Sequence, residues 1–154
     1  MEMDILTSCF RKIKSKTWLC LGSGIITGIV THLYILTNKL PNWDDINNLH
    51  WYGQVDTVGR WMLDDLGRLA GVWSVPALNG MLTILFLSIA SCLIVSTLKI
   101  ENEIGICLVS IIMLTFPSVA SLMTFMFTAN PYALGVLLGC LGTWLITKKK
   151  YGIV

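Results

Sequence analysis

From Ile104 to Thr147 the chain runs 44 residues without a charged side chain. A soluble domain has no layer that could bury a stretch of that length, whereas a bilayer does. Its hydrocarbon core of about 30 Å is crossed by roughly 20 helical residues at about 1.5 Å each. The run is therefore two crossings with a few residues between them. Two further uncharged runs exist, 21 residues from Thr17 to Thr37 and 30 residues between Arg68 and Lys99. With 55% hydrophobic and only 13% charged residues, against about 25% charged in an average soluble domain, the chain is excluded from the soluble, disordered, collagen and coiled-coil classes. The net charge of +2 is too small and dispersed for a nucleic-acid footprint, so no nucleic-acid partner is expected.

Prolines and charges mark the boundaries. Pro76 suits the first turn of a helix, which places the second span at about 77–98. The residue before a proline is disfavoured in helix, so Thr128, Ala129, Asn130 and Pro131 read as the turn that divides the long run into spans at about 105–127 and 131–147. Pro117 predicts a kink in the third span. With the first span at 17–37, the fold class is all-α: a polytopic membrane protein with four transmembrane helices. Residues 1–16 form a basic tail, 17–147 the membrane domain with a first loop at 39–75, and 148–154 a second tail. The first uncharged run exceeds the roughly 7–15 residues of a cleaved signal and reads as a retained anchor.

Four spans put Arg11 to Lys16, Lys99 and Lys148 to Lys150 on one side. By the positive-inside rule that side is cytoplasmic, with both termini. The loop at 39–75 and the turn near Asn130 then lie outside. That loop carries three bases (Lys39, Arg60, Arg68) and five acids (Asp44, Asp45, Asp56, Asp64, Asp65), which agrees with the assignment.

The five cysteines contain no CxxC pair, and His32 and His50 stand far apart. No metal site is expected from such spacing. His32 is the ionisable group at membrane depth in the first span, a functional position by default in a bilayer, though a place near the interface is the alternative. Gly22, Gly24 and Gly28, and again Gly135, Gly139 and Gly142, recur about a turn apart and suit close helix packing.

The loop is the sizeable polar part of the chain and holds four of its six tryptophans, Trp43, Trp51, Trp61 and Trp73. Aromatics at that density belong to the membrane interface. Val58, Met62, Leu66, Leu69 and Trp73 follow helical spacing, and Asp56, Arg60 and Asp64 recur every four residues on another side. Amphipathic interfacial helices are the expected form. Two readings of the charges stand side by side: an i,i+4 ion-pair ladder facing water, or a stripe facing a site. Asp44 and Asp45 likewise read either as the cap of the helix that starts at Ile46 or as carboxylates at the bilayer surface. In that place a carboxylate can act as general base toward a hydroxyl or hold a divalent cation.

The order of these segments resembles a known family. Pro41-Asn42-Trp43-Asp44-Asp45, Gly59-Arg60-Trp61, Val75-Pro76-Ala77-Leu78-Asn79-Gly80, Thr115-Phe116-Pro117 and Phe127-Thr128-Ala129-Asn130-Pro131-Tyr132-Ala133-Leu134 are similar to the amino-terminal part of the membrane glucosyltransferases that modify bacterial O-antigen, the Gtr type II group. The resemblance implies a GT-C-like enzyme of the bacterial cytoplasmic membrane. Such an enzyme takes glucose from a polyprenyl-phosphate carrier on the outer face and passes it to a lipid-linked or polysaccharide acceptor. It maps the catalytic base onto Asp44 or Asp45 and donor-phosphate binding onto Arg60, since a guanidinium grips phosphate oxygens bidentately. It further implies substrate contacts from Trp61, Trp43, Asn130 and Tyr132, with Asn130 standing where the family more often has an acid. Family members are considerably longer, so the resemblance implies a truncated form, a fragment or a short relative, with partner helices supplying further spans.

Two other classes compete. One is a non-catalytic four-span protein that assists translocation of lipid-linked sugar or assembly of a larger enzyme, for which the short chain argues and the acidic, tryptophan-rich loop does not. The other, a small multidrug antiporter, needs an intramembrane carboxylate, and none of the four spans contains one.

Overall fold

The computed structural model describes residues 15–40, 43, 46, 63, 65, 66 and 75–150. Five helices lie in these segments: α1 at Ser15–Thr37, α2 at Pro76–Leu98, α3 at Glu103–Thr115, α4 at Pro117–Met123 and α5 at Met126–Lys150. No strand occurs among the described residues. Three of the helices are long and apolar enough to cross a membrane, and α3 with α4 makes a fourth crossing if the pair counts as one span bent by 45°. The protein is thus an all-α polytopic membrane protein.

Each boundary has a local cause. α2 starts with Pro76 at its first turn behind an extended Val75, where the missing proline N–H costs nothing because the first N–H groups of a helix have no partner. It ends at Lys99 in the left-handed conformation, φ 53°, whose N–H returns to the Val95 carbonyl. α3 is capped by the Asn102 side chain, which accepts from the Gly105 N–H, and has Glu103 in its first turn, a favourable place for an acid. The end of α1 is closed by Thr37 Oγ1 on the Leu33 carbonyl at 2.9 Å and Asn38 Nδ2 on that of Tyr34 at 3.0 Å. The bend between α3 and α4 falls at Phe116 and Pro117, as the proline predicts.

The second break lies elsewhere than expected. The turn is at Thr124 and Phe125, not at Thr128 to Pro131, and Pro131 sits inside α5. Tertiary packing explains the shift. Met126, Ala129 and Ala133 follow helical spacing and are buried in one cluster with Leu36, Ile84, Leu87 and Leu114. Continuing the helix back through Asn130 keeps that face on the core, which outweighs the local penalty of Asn before Pro.

α2 is the central helix and packs against α1, α3 and α5. Small residues set its approach to α1. A Cβ added at Gly24 would come within 2.7 Å of Ser88 Oγ, and one at Gly28 within 2.7 Å of Ile84 Cγ2. Gly22, Gly135, Gly139 and Gly142 have nothing within 4 Å among the described residues, so the close packing expected of the second glycine set does not occur among them. Ile26, Val30, Ile112 and Ile146 are exposed, an apolar exterior that suits lipid rather than water. Most of the 39–75 loop, and with it the expected amphipathic helices, lies outside the described residues. Trp43, Ile46, Leu63, Asp65 and Leu66 within it are helical.

Candidate functional site

The segments that lead into and out of the loop come together at one end of the bundle. The end of α1 (Ile35, Asn38, Lys39, Leu40), the start of α2 (Pro76), the end of α4 (Met123) and the start of α5 (Met126) line one small crevice. Beneath it lies a set of buried polar side chains. Asn79 and Asn130 are 3% and 4% exposed, and Thr83, Thr128 and His32 are buried beside apolar neighbours. Buried polar groups in a membrane bundle need partners, and most of these have one.

Asn79 Nδ2 donates to the Met126 carbonyl at 3.1 Å, and Thr83 Oγ1 to the Asn79 carbonyl at 2.8 Å. His32 Nε2 donates to the Leu114 carbonyl at 2.9 Å. That carbonyl is available because the α3 ladder stops before Pro117, so the histidine serves the broken helix. Asn79 Oδ1 and Asn130 Oδ1 are buried without a hydrogen-bond partner among the described residues. Two amide oxygens at the loop end therefore face the protein interior as acceptors ready for a donor, the property a hydroxyl-rich ligand or a water would use.

Of the residues singled out in the sequence, Asp44, Asp45, Arg60 and Trp61 lie outside the described residues. Trp43 is helical and 79% exposed. Asn130 is buried, as described, and Tyr132 is 44% exposed on α5, so these neighbours in sequence face different surroundings. Among the described residues no three His, Cys, Asp or Glu side chains converge on a point. Asn79 is a residue of this set that the sequence does not single out on its own. Its signal was an amide one turn after Pro76 in an otherwise apolar span, where a polar group has to be partnered.

Three apolar helices and one bent helix pair, with buried polar side chains near the end where α1 leads into the 39–75 segment and α2 leads out of it, define a polytopic membrane protein. The chain belongs to the glucosyl transferase GtrII family, whose model matches residues 33–154. The match covers the end of α1, the loop and all of α2 to α5. No curated protein and no solved structure matches the chain.

Proposed function

We propose that this protein, alone or as the amino-terminal part of a longer transferase, moves glucose from a polyprenyl-phosphate donor to a lipid-linked or O-antigen polysaccharide acceptor. The reaction takes place at the outer face of the bacterial cytoplasmic membrane, with the basic ends of the helices in the cytoplasm. The observation that carries this reading is the family match across residues 33–154. It is supported by the packing of Val75 to Gly80, one of the segments on which the resemblance rests, against the start of α5, where Asn79 donates to the Met126 carbonyl.

In this reading Asp44 or Asp45 takes the proton from the acceptor hydroxyl as its oxygen attacks the anomeric carbon. The carbon–phosphate oxygen bond breaks, and its electron pair leaves with the polyprenyl phosphate. Arg60 meets the charge that grows on that phosphate, and Trp43, Trp61, Asn130 and Tyr132 contact the sugars. A divalent cation, where one is used, binds the same carboxylates.

The test is glucose transfer from polyprenyl-phosphate glucose by membranes containing the chain, beside Asp44→Asn, Asp45→Asn and Arg60→Ala. Loss of transfer in one aspartate variant, at unchanged expression, is the expected result and identifies the base. Lipid-phosphate binding without transfer by the unmodified chain would instead favour an accessory role.

A further inference from the structure

A cavity of about 610 Å³ opens at the opposite end of the bundle, where the start of α1, the end of α2 and the end of α5 meet. Among the described residues its charged lining is Lys16, Lys99, Lys148 and Glu101, three cations against one carboxylate. The three basic segments that the sequence places on one side of the membrane thus border one concave space.

The wall is organised for an anion as well as charged. Trp144 Nε1 donates to Ser96 Oγ at 3.0 Å, which leaves the serine proton as a donor. The Lys148 ammonium rests over the Trp144 ring, 5.2 Å from its centre, a cation–π contact that holds the charge beside the cavity. Deeper in, the lining turns apolar with Cys20, Val95 and Ile100. Cations and hydroxyls at the ends of membrane helices lie at headgroup depth, and an apolar floor beneath them receives the start of an acyl chain.

We propose that this cavity holds the phosphate headgroup of an anionic phospholipid whose chains stay in the bilayer. The site is separate from the loop end and does not depend on the transferase reading. A free anion would use the cations and leave the apolar floor unfilled, whereas a lipid uses both.

Cys92 lines the cavity and Cys107 does not, so thiol labelling reads occupancy in the unmodified 154-residue chain. The protein is placed in vesicles of phosphatidylcholine alone or with phosphatidylglycerol added, and N-ethylmaleimide modification is followed at each cysteine by peptide mass spectrometry. Phosphatidylglycerol is expected to slow Cys92 labelling several-fold relative to Cys107. Combining Lys16→Gln with Lys148→Gln is expected to abolish that protection, and Lys149→Gln, next to the cavity but outside its lining, to leave it intact. The proposal is overturned if the Cys92 to Cys107 ratio ignores phosphatidylglycerol, or if Lys149→Gln removes protection as fully as the double variant, which would mean a diffuse surface field. It is equally overturned if inorganic phosphate protects Cys92 in phosphatidylcholine vesicles as well as the anionic lipid does.

Discussion

Asn79 on α2 donates its side-chain amide to the main-chain oxygen of Met126 on α5, 3.1 Å away. The bond joins the first turns of two helices that flank the loop end, in a bundle interior where water does not compete. Interhelical hydrogen bonds of this kind contribute about 0.6 kcal/mol on average and up to about 1.7 kcal/mol. Asn79→Ala is therefore expected to lower stability by about 1 kcal/mol, measured by denaturing-detergent titration in mixed micelles. An unchanged midpoint would mean that the two helix starts are held by packing alone.

The glycines divide sharply. At Gly24 and Gly28 a single added carbon meets α2 at 2.7 Å, against Ser88 Oγ and against the branched body of Ile84, with Leu114 Cδ1 a further 3.2 Å neighbour of the latter. Gly24→Ala and Gly28→Ala should each cost about 1–3 kcal/mol through overpacking. At Gly139 the same change meets nothing within 4 Å among the described residues, and the better helix propensity of alanine should leave stability equal or higher by up to about 1 kcal/mol. The same titration checks all three. A large loss at Gly139 would reveal a helix docked on that face of α5.

Asn130 separates stability from activity. Its side chain is buried and its Oδ1 has no partner among the described residues, so an apolar replacement of similar size removes an uncompensated polar atom. Asn130→Leu is expected to fold with stability at or above that of the unmodified chain. Where Asn130 contacts substrate, the same variant should lose glucose transfer. A drop in stability as large as that of Asn79→Ala would show instead that the amide is structurally partnered.

How legible was this in the sequence? The crossings followed from the lengths of uncharged runs, because helix rise and bilayer thickness are fixed quantities. The α2 start at Pro76 and the bend at Pro117 followed because proline acts on its own backbone. The turn at Thr124 and Phe125 did not, since it is decided by the burial of Met126, Ala129 and Ala133 against α1 and α2, contacts that no local rule contains. Asn79 was hidden for the same reason: its partner lies 47 positions away. Asp44, Asp45 and Arg60 rest on residue type and resemblance alone and lie outside the described residues.

His32 offers a cycle that tests the broken span directly. Its Nε2 donates to the Leu114 carbonyl, an acceptor which an unbroken helix would pair with the N–H of Ser118. The break at Phe116 and Pro117 removes that internal partner, and the histidine from α1 replaces it. His32→Ala should therefore lower stability by about 1 kcal/mol and speed amide exchange around residues 115–118, while His32→Gln, whose amide can donate, should keep part of the bond. Pro117→Ala restores a backbone N–H and permits the helix to continue through the bend. In that background the Leu114 carbonyl regains its own helical donor, so His32→Ala should cost far less than in the unmodified chain. The coupling is read from the four detergent midpoints and the exchange rates together. Equal costs in both backgrounds would mean that His32 does not serve the break, and that the bend between α3 and α4 is set by proline geometry and packing alone.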